Sequence, residues 1–192
     1  PETRFAGRSG PLRLLVIGGS LGAQALNRVL PQAIDRLPVA TRPQVHHQTG
    51  QSDVAGVQQR YRELGFEARV EAFIEDMAAA YAWADLVVCR SGALTVAELA
   101  VVGVAAILVP FPFAVDDHQT ANAGYLTSAD AAIFHYSNMA DTHRLLAERL
   151  TFAATRGRQV QNCATVAVKY TAARLGSARR RATLLPRASQ YR

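Results

Sequence analysis

A chain of 192 residues with 49% hydrophobic side chains can bury a full core and is most simply one globular domain. Its two cysteines, Cys89 and Cys163, exclude a disulfide framework and a zinc-finger spacing. The net charge of +6 is not a property of the whole: residues 1–133 carry 10 basic and 13 acidic side chains, residues 134–192 carry 11 and 2.

The chain opens on Pro1 rather than Met, and Pro1–Pro11 reads as a linker, so the sequence is taken as a piece of a longer protein with no signal peptide. Beyond it, short apolar strands are predicted at Leu12–Ile17, Gln44–Gln48, Ala68–Ala72, Leu86–Cys89 and Ala105–Val109, with a weaker one at Ala131–Phe134. Helical stretches lie between them at about Ala23–Leu37, Val54–Leu64, Met77–Ala84, Leu94–Val102 and Gln119–Thr127. Pro31 is expected to kink or shorten the first. Apolar strands alternating with helices predict an α/β fold, a doubly wound, mostly parallel Rossmann-like sheet. In such sheets ligands bind beyond the carboxyl ends of the strands. The longest uncharged run, Leu99–Val115, is broken by Gly103, Pro110 and Pro112 and is too short to cross a membrane.

Every polar motif falls at a strand's carboxyl end. Arg90-Ser91-Gly92 follows the fourth strand and leads straight into the helix Ala93-Leu94-Thr95-Val96-Ala97-Glu98. A helix start has unpaired N–H groups and partial positive charge, which receive anions such as a diphosphate. Glu98, about a turn and a half inside, is suited to accept hydrogen bonds from a ribose diol. A second turn, Gly18-Gly19-Ser20-Leu21-Gly22, follows the first strand and offers Ser20 as a hydroxyl donor. Its glycine offsets differ from the dinucleotide fingerprint, and the second strand ends His47-Gln48-Thr49-Gly50 without the acid that fingerprint requires. Phe73-Ile74-Glu75-Asp76-Met77 reads either as a strand end with Asp76 capping the helix behind it, or as a segment whose backbone around Ile74 reads the edge of a base. Asp117, Gln119 and Asn122, after the stiff Pro110-Phe111-Pro112-Phe113 loop, are suited to a sugar. His46, His47 and His118 have no metal-ligand spacing, no Asp-x-Asp pair is present, and Cys89 reads as a buried thiol. No metal site and no cofactor are expected.

With these residues the chain resembles the carboxy-terminal half of the MurG family of GT-B glycosyltransferases. These add N-acetylglucosamine to undecaprenyl-diphosphate-linked N-acetylmuramyl-pentapeptide in peptidoglycan synthesis. The resemblance runs from about Pro1 to Ile133. It is carried by Gly-Gly-Ser-Leu-Gly-Ala at 18–23, His-Gln-Thr-Gly at 47–50, Phe-Ile-Glu-Asp-Met-Ala-Ala-Ala-Tyr at 73–81, Asp-Leu-Val-Val-Cys-Arg-Ser-Gly-Ala-Leu-Thr-Val-Ala-Glu at 85–98 and Asp-Asp-His-Gln-Thr-Ala-Asn at 116–122.

The resemblance implies an inverting transfer from UDP-N-acetylglucosamine. Ser20 would contact the donor and the Ile74 backbone would read uracil. Ala93, Leu94, Thr95, Val96, Ala97 and Glu98 would hold diphosphate and ribose. Gln119 would bind the sugar, with Gly18, Gly19, Gly22, Arg90, Ser91, Gly92 and Asn122 in support. No catalytic residue is assigned here. The family's other half would carry the general base, the site for the lipid-linked acceptor and the membrane-docking patch, so this chain alone is expected to be inactive. The implied location is peripheral, at the cytoplasmic face of the bacterial inner membrane.

Three alternatives remain open at this point: the donor subunit of a split transferase, a dinucleotide-binding redox module, and a basic-tailed nucleic-acid adaptor. The last rests only on the tail, and no nucleic-acid partner is expected. The division expected from the sequence is 1–11 linker, 12–133 nucleotide-sugar domain and 134–192 basic tail. Arg179-Arg180-Arg181 and the scarcity of acids leave two readings of that tail, a divergent pair of helices or a segment read out of frame; Thr142–Leu150 has helical periodicity.

Overall fold

The computed structural model describes residues 8–19, 23–110, 118–128, 132–135 and 142–155. Strands β1 (Arg13–Ile17), β2 (Gln44–Gln48), β3 (Ala68–Glu71), β4 (Leu86–Cys89), β5 (Ala105–Leu108) and β6 (Ala132–Phe134) form one sheet in the order β3-β2-β1-β4-β5-β6. Every pairing is parallel. Helices α1 (Gln24–Asp35), α2 (Val54–Glu63), α3 (Met77–Trp83), α4 (Ala93–Val102), α5 (His118–Thr127) and α6 (Thr142–Thr155) cover its two faces.

The side-chain period of two sorts the strands between two cores. Leu14 and Val16 of β1, Leu86 and Val88 of β4, and Ala105 and Ile107 of β5 pack with Leu30 and Ile34 of α1, Tyr61 of α2, and Leu146 and Leu150 of α6. The alternate residues Leu15, Ile17, Val87, Cys89 and Leu108 pack with Tyr81 of α3, Val96 and Leu99 of α4, and Leu126 of α5. A strand buried on both sides has no polar face to offer, so β4 and β5 read Leu-Val-Val-Cys and Ala-Ala-Ile-Leu.

Local chemistry sets the helix ends. Asp76 caps α3, its carboxylate accepting from the Ala79 N–H at 2.8 Å. Gly103 ends α4 with φ +66°, a left-handed turn that costs a side-chain-bearing residue energy, and its N–H returns to the Leu99 carbonyl at 2.9 Å. α1 runs through the buried Pro31 to Asp35, ending two residues short of the predicted Leu37.

The packed core continues past the expected boundary at Ile133. β6 pairs in register with β5, and α6 buries Leu146, Ala147 and Leu150 against the α1 side. The expected linker is also tied down where it is described. Arg8 donates to the Trp83 carbonyl at 3.1 Å, the Ala82 carbonyl at 2.7 Å and the Asp85 carboxylate, whose other oxygen accepts from Arg13 N–H at 2.9 Å. No helix among the described residues is long and apolar enough to cross a membrane.

Candidate functional site

In this strand order the chain reverses direction across the sheet between β1 and β4, which opens a crevice beyond their carboxyl ends. Ile17 pairs with Cys89, so the two glycine-bearing turns start side by side. Gly19 has φ +79°, and open space surrounds the position a Cβ would take. The Gly18 N–H donates to the Gln48 carbonyl at 3.2 Å, and the Gln48 side-chain amide donates to the Gly19 carbonyl at 3.4 Å. Gln48 thereby braces the glycine turn. Ser20 and Gly22 lie outside the described residues, as does Asp117.

The second turn is braced from both sides. Ser91 is fully buried; its hydroxyl donates to the Gln119 carbonyl at 2.7 Å, and the Asn122 amide donates to the Ser91 carbonyl at 3.1 Å. Arg90 turns toward β5 and donates to the carbonyls of Val109 at 3.0 Å and Pro110 at 2.8 Å. Burial lowers its guanidinium pKa from the ordinary value. Gln119 and Asn122 are thus brought beside Arg90, Ser91 and Gly92 by main-chain and side-chain bonds together.

Gly92 is extended (φ −62°, ψ 148°), no side chain among the described residues caps α4, and no acid lies in its first turn. The leading N–H groups at Ala93, Leu94 and Thr95 therefore keep the positive end of the helix dipole available to an anion. Ala93 and Leu94 are exposed, Thr95 is half-buried, and Val96 turns into the core. Ala97 and Glu98 return to the exposed side.

Glu98 has a partner that sequence reasoning did not single out. The buried Tyr81, from α3, donates its phenol to Glu98 Oε2 at 2.9 Å. Burial first, and then the bond to Glu98, raise the Tyr81 pKa, so the phenol keeps its proton and acts as donor. Cys89 beneath is buried, and burial pushes its thiol up to about 12, so it stays protonated and unreactive.

Ile74 is buried with its side chain in the α3–α4 core, while the preceding Phe73 is 56% exposed. Among the described residues nothing hydrogen-bonds the Ile74 backbone, which leaves its N–H and carbonyl open. Further along the same edge, a groove of about 730 Å³ between β3 and α3 is lined by His46, Glu71, Ile74 and Trp83. No group of three His, Cys, Asp or Glu among the described residues could hold a metal ion.

The glycosyltransferase family 28 C-terminal domain matches residues 13–173, most of the chain. This chain belongs to that family. A relative from Marinobacter nauticus, UDP-N-acetylglucosamine--N-acetylmuramyl-(pentapeptide) pyrophosphoryl-undecaprenol N-acetylglucosamine transferase, is 53% identical over 167 residues, 87% of this chain and 46% of its own. A protein of the same name from Chromohalobacter salexigens is 62% identical over 132 residues, 69% of this chain and 36% of its own. The chain thus spans less than half the length of these relatives. The crystal structure of Acinetobacter baumannii MurG superposes with a TM-score of 0.80 at 40% identity, over 88% of this chain and 48% of that one. The glycotransferase of kitacinnamycin shares the fold at 22% identity and a TM-score of 0.56, over 90% of this chain and 44% of that one.

Proposed function

We propose that this family 28 domain binds UDP-N-acetylglucosamine for an inverting N-acetylglucosaminyltransferase whose acceptor is undecaprenyl-diphosphate-linked N-acetylmuramyl-pentapeptide. The observation that carries the reading is the uncapped α4 start beside the Gly18–Gly19 turn, with Glu98 held at the far end of the same short segment. Relatives at 53–62% identity whose names state this donor sugar and this acceptor support the choice of substrate.

In this reading the diphosphate lies on the leading N–H groups of α4 and the ribose hydroxyls meet Glu98. Uracil is read by the free Ile74 backbone, and Gln119 faces the sugar from the start of α5. The chemistry asked of this domain is to hold the donor and to stabilise charge on departing UDP. Fixed N–H dipoles suit that task because they need no reorganisation when the bond breaks. The acceptor hydroxyl, the base that takes its proton and the lipid-binding surface belong to the portion of the relatives that this chain does not match. Its place is then peripheral, at the cytoplasmic face of the bacterial inner membrane.

Calorimetric titration with UDP-N-acetylglucosamine, UDP-glucose and NADH tests the reading, repeated on Glu98→Ala. Loss of a charged hydrogen-bond acceptor should weaken donor binding by about 1.5–3 kcal/mol, roughly ten- to a hundredfold. Selective binding of the first ligand, weakened by the substitution, is the expected result. Equal affinity for NADH would replace the reading with a dinucleotide module.

A further inference from the structure

Glu98 carries two oxygens, and the fold uses one of them. Oε2 accepts the Tyr81 hydroxyl at 2.9 Å, while no other described residue hydrogen-bonds the carboxylate. Glu98 itself stands exposed on α4, where a side chain with three rotatable bonds samples several rotamers unless something holds it. Tyr81 is 3% exposed, set in the core between α3 and α4 with Ile74, Val96 and Leu99 around it. A rigid, buried ring thus presents one hydroxyl to one end of an otherwise free carboxylate. A carboxylate has about four lone-pair sites, so accepting one phenol leaves room for the two hydroxyls of a diol.

We propose that Tyr81 is a positioning residue that fixes the Glu98 carboxylate to receive both hydroxyls of the donor's ribose, and so makes the site selective for ribonucleotides over their deoxy forms. The proposal rests on the reading of Glu98 as the ribose acceptor. Its physical basis is preorganisation: a carboxylate already held needs less ordering when the diol arrives, and the phenol pays nothing for a ligand that lacks the diol. Tyr81 belongs to the helix after the Ile74 loop, so the same short segment supplies both the backbone proposed to read the base and the group that orients the sugar contact.

The test compares UDP with its 2′,3′-dideoxy analogue on the wild-type chain, Tyr81→Phe and Glu98→Ala by calorimetry. Phe keeps the ring and its packing, and thermal unfolding of each variant reports that the fold is retained. The expected result is that Tyr81→Phe weakens UDP about tenfold, or about 1.4 kcal/mol, and leaves the dideoxy analogue unchanged, with Glu98→Ala showing the same selectivity more strongly. If Glu98→Ala loses the diol preference and Tyr81→Phe keeps it, the positioning role falls while the ribose reading survives. If Tyr81→Phe weakens both ligands alike, Tyr81 is only a packing residue. A Glu98→Ala chain that binds both ligands as the wild type does would remove the ribose reading, and this proposal with it.

Discussion

The Asn122 side-chain amide donates to the Ser91 carbonyl at 3.1 Å, while the Ser91 hydroxyl donates to the Gln119 carbonyl at 2.7 Å. Two residues from the start of α5 therefore clasp the turn that opens α4, and the two helix starts hold one geometry. The resemblance placed Asn122 among residues supporting the sugar; here its amide nitrogen is engaged in holding the turn. Asn122→Ala should leave the buried turn's carbonyl without this donor and lower unfolding free energy by about 1–3 kcal/mol in urea titrations. Loss of the clasp should weaken UDP-N-acetylglucosamine as well, because the proposed diphosphate site at the start of α4 loses one of its braces.

His47 sits fully buried in β2, its Nδ1 3.1 Å from the Tyr61 hydroxyl and its Nε2 without a hydrogen-bond partner among the described residues. Burial lowers its pKa to about 3. Burial likewise lowers those of His46 and His135. Above pH 6.5 the His47 imidazole is neutral in both states and stability is flat with respect to it. Below 6.5 the unfolded chain takes up a proton that the native chain refuses, so stability falls with pH until about 3. His47 alone should then cost about 1.4 kcal/mol per pH unit, or roughly 2 kcal/mol between pH 6.5 and 5. Denaturant midpoints at those two pH values check this, and His47→Phe should flatten the slope.

Leu150 is 1% exposed on α6 and packs into the α1 side of the core. Leu150→Ala should cost about 2–5 kcal/mol, as deletion of a fully buried leucine does when the site cannot collapse. Amide exchange at Leu146 and Leu150 should be slowed to the level of the central strands. Exchange at the rate of free peptide would mean that this helix contributes nothing to the fold.

A Cβ at Gly56 would lie 2.4 Å from Asp53 Oδ1, whose partner oxygen binds Arg60 at 3.0 Å and Asn27 at 3.4 Å. Alanine ordinarily improves a helix interior over glycine by about 1 kcal/mol. At this position the gain should vanish, because the carboxylate must leave both partners to make room. In an Asp53→Ala background the same Gly56→Ala change should recover the full benefit in thermal unfolding, a difference that a double-mutant cycle measures directly.

The central strands β1, β4 and β5 were readable from the sequence because they are buried on both sides. Runs such as Leu-Val-Val-Cys and Ala-Ala-Ile-Leu have no reading as an exposed face, and Gly or Asp marks several element ends. The turns at Gly18–Gly19 and Arg90–Gly92 were placed correctly for the same reason: strand ends locate them. Tyr81 was missed as a partner of Glu98 because 17 residues separate them and neither residue type announces the other. Asn27 was missed too. It lies on the buried side of α1, 1% exposed, and donates to the Thr49 carbonyl at 3.0 Å, a use visible only once β2 is beside β1. The charge of residues 134–192 drew attention away from Leu146 and Leu150, whose spacing of four in a periodic stretch was the better guide.

Ile17 and Cys89, side by side at the mouth of the crevice, are 72 positions apart along the chain. Contacts of such separation are entropically costly and form slowly, since the intervening strands and helices must close as one large loop. The Arg90–Gly92 turn and the glycine turn therefore come into register only when the chain crosses back from β3 to β4 on the far side of β1. On the proposed reading, nucleotide affinity should arise during synthesis only after β4 has paired and α4 and α5 have followed it, so occupancy by UDP would report completion of the central sheet and the helices behind it.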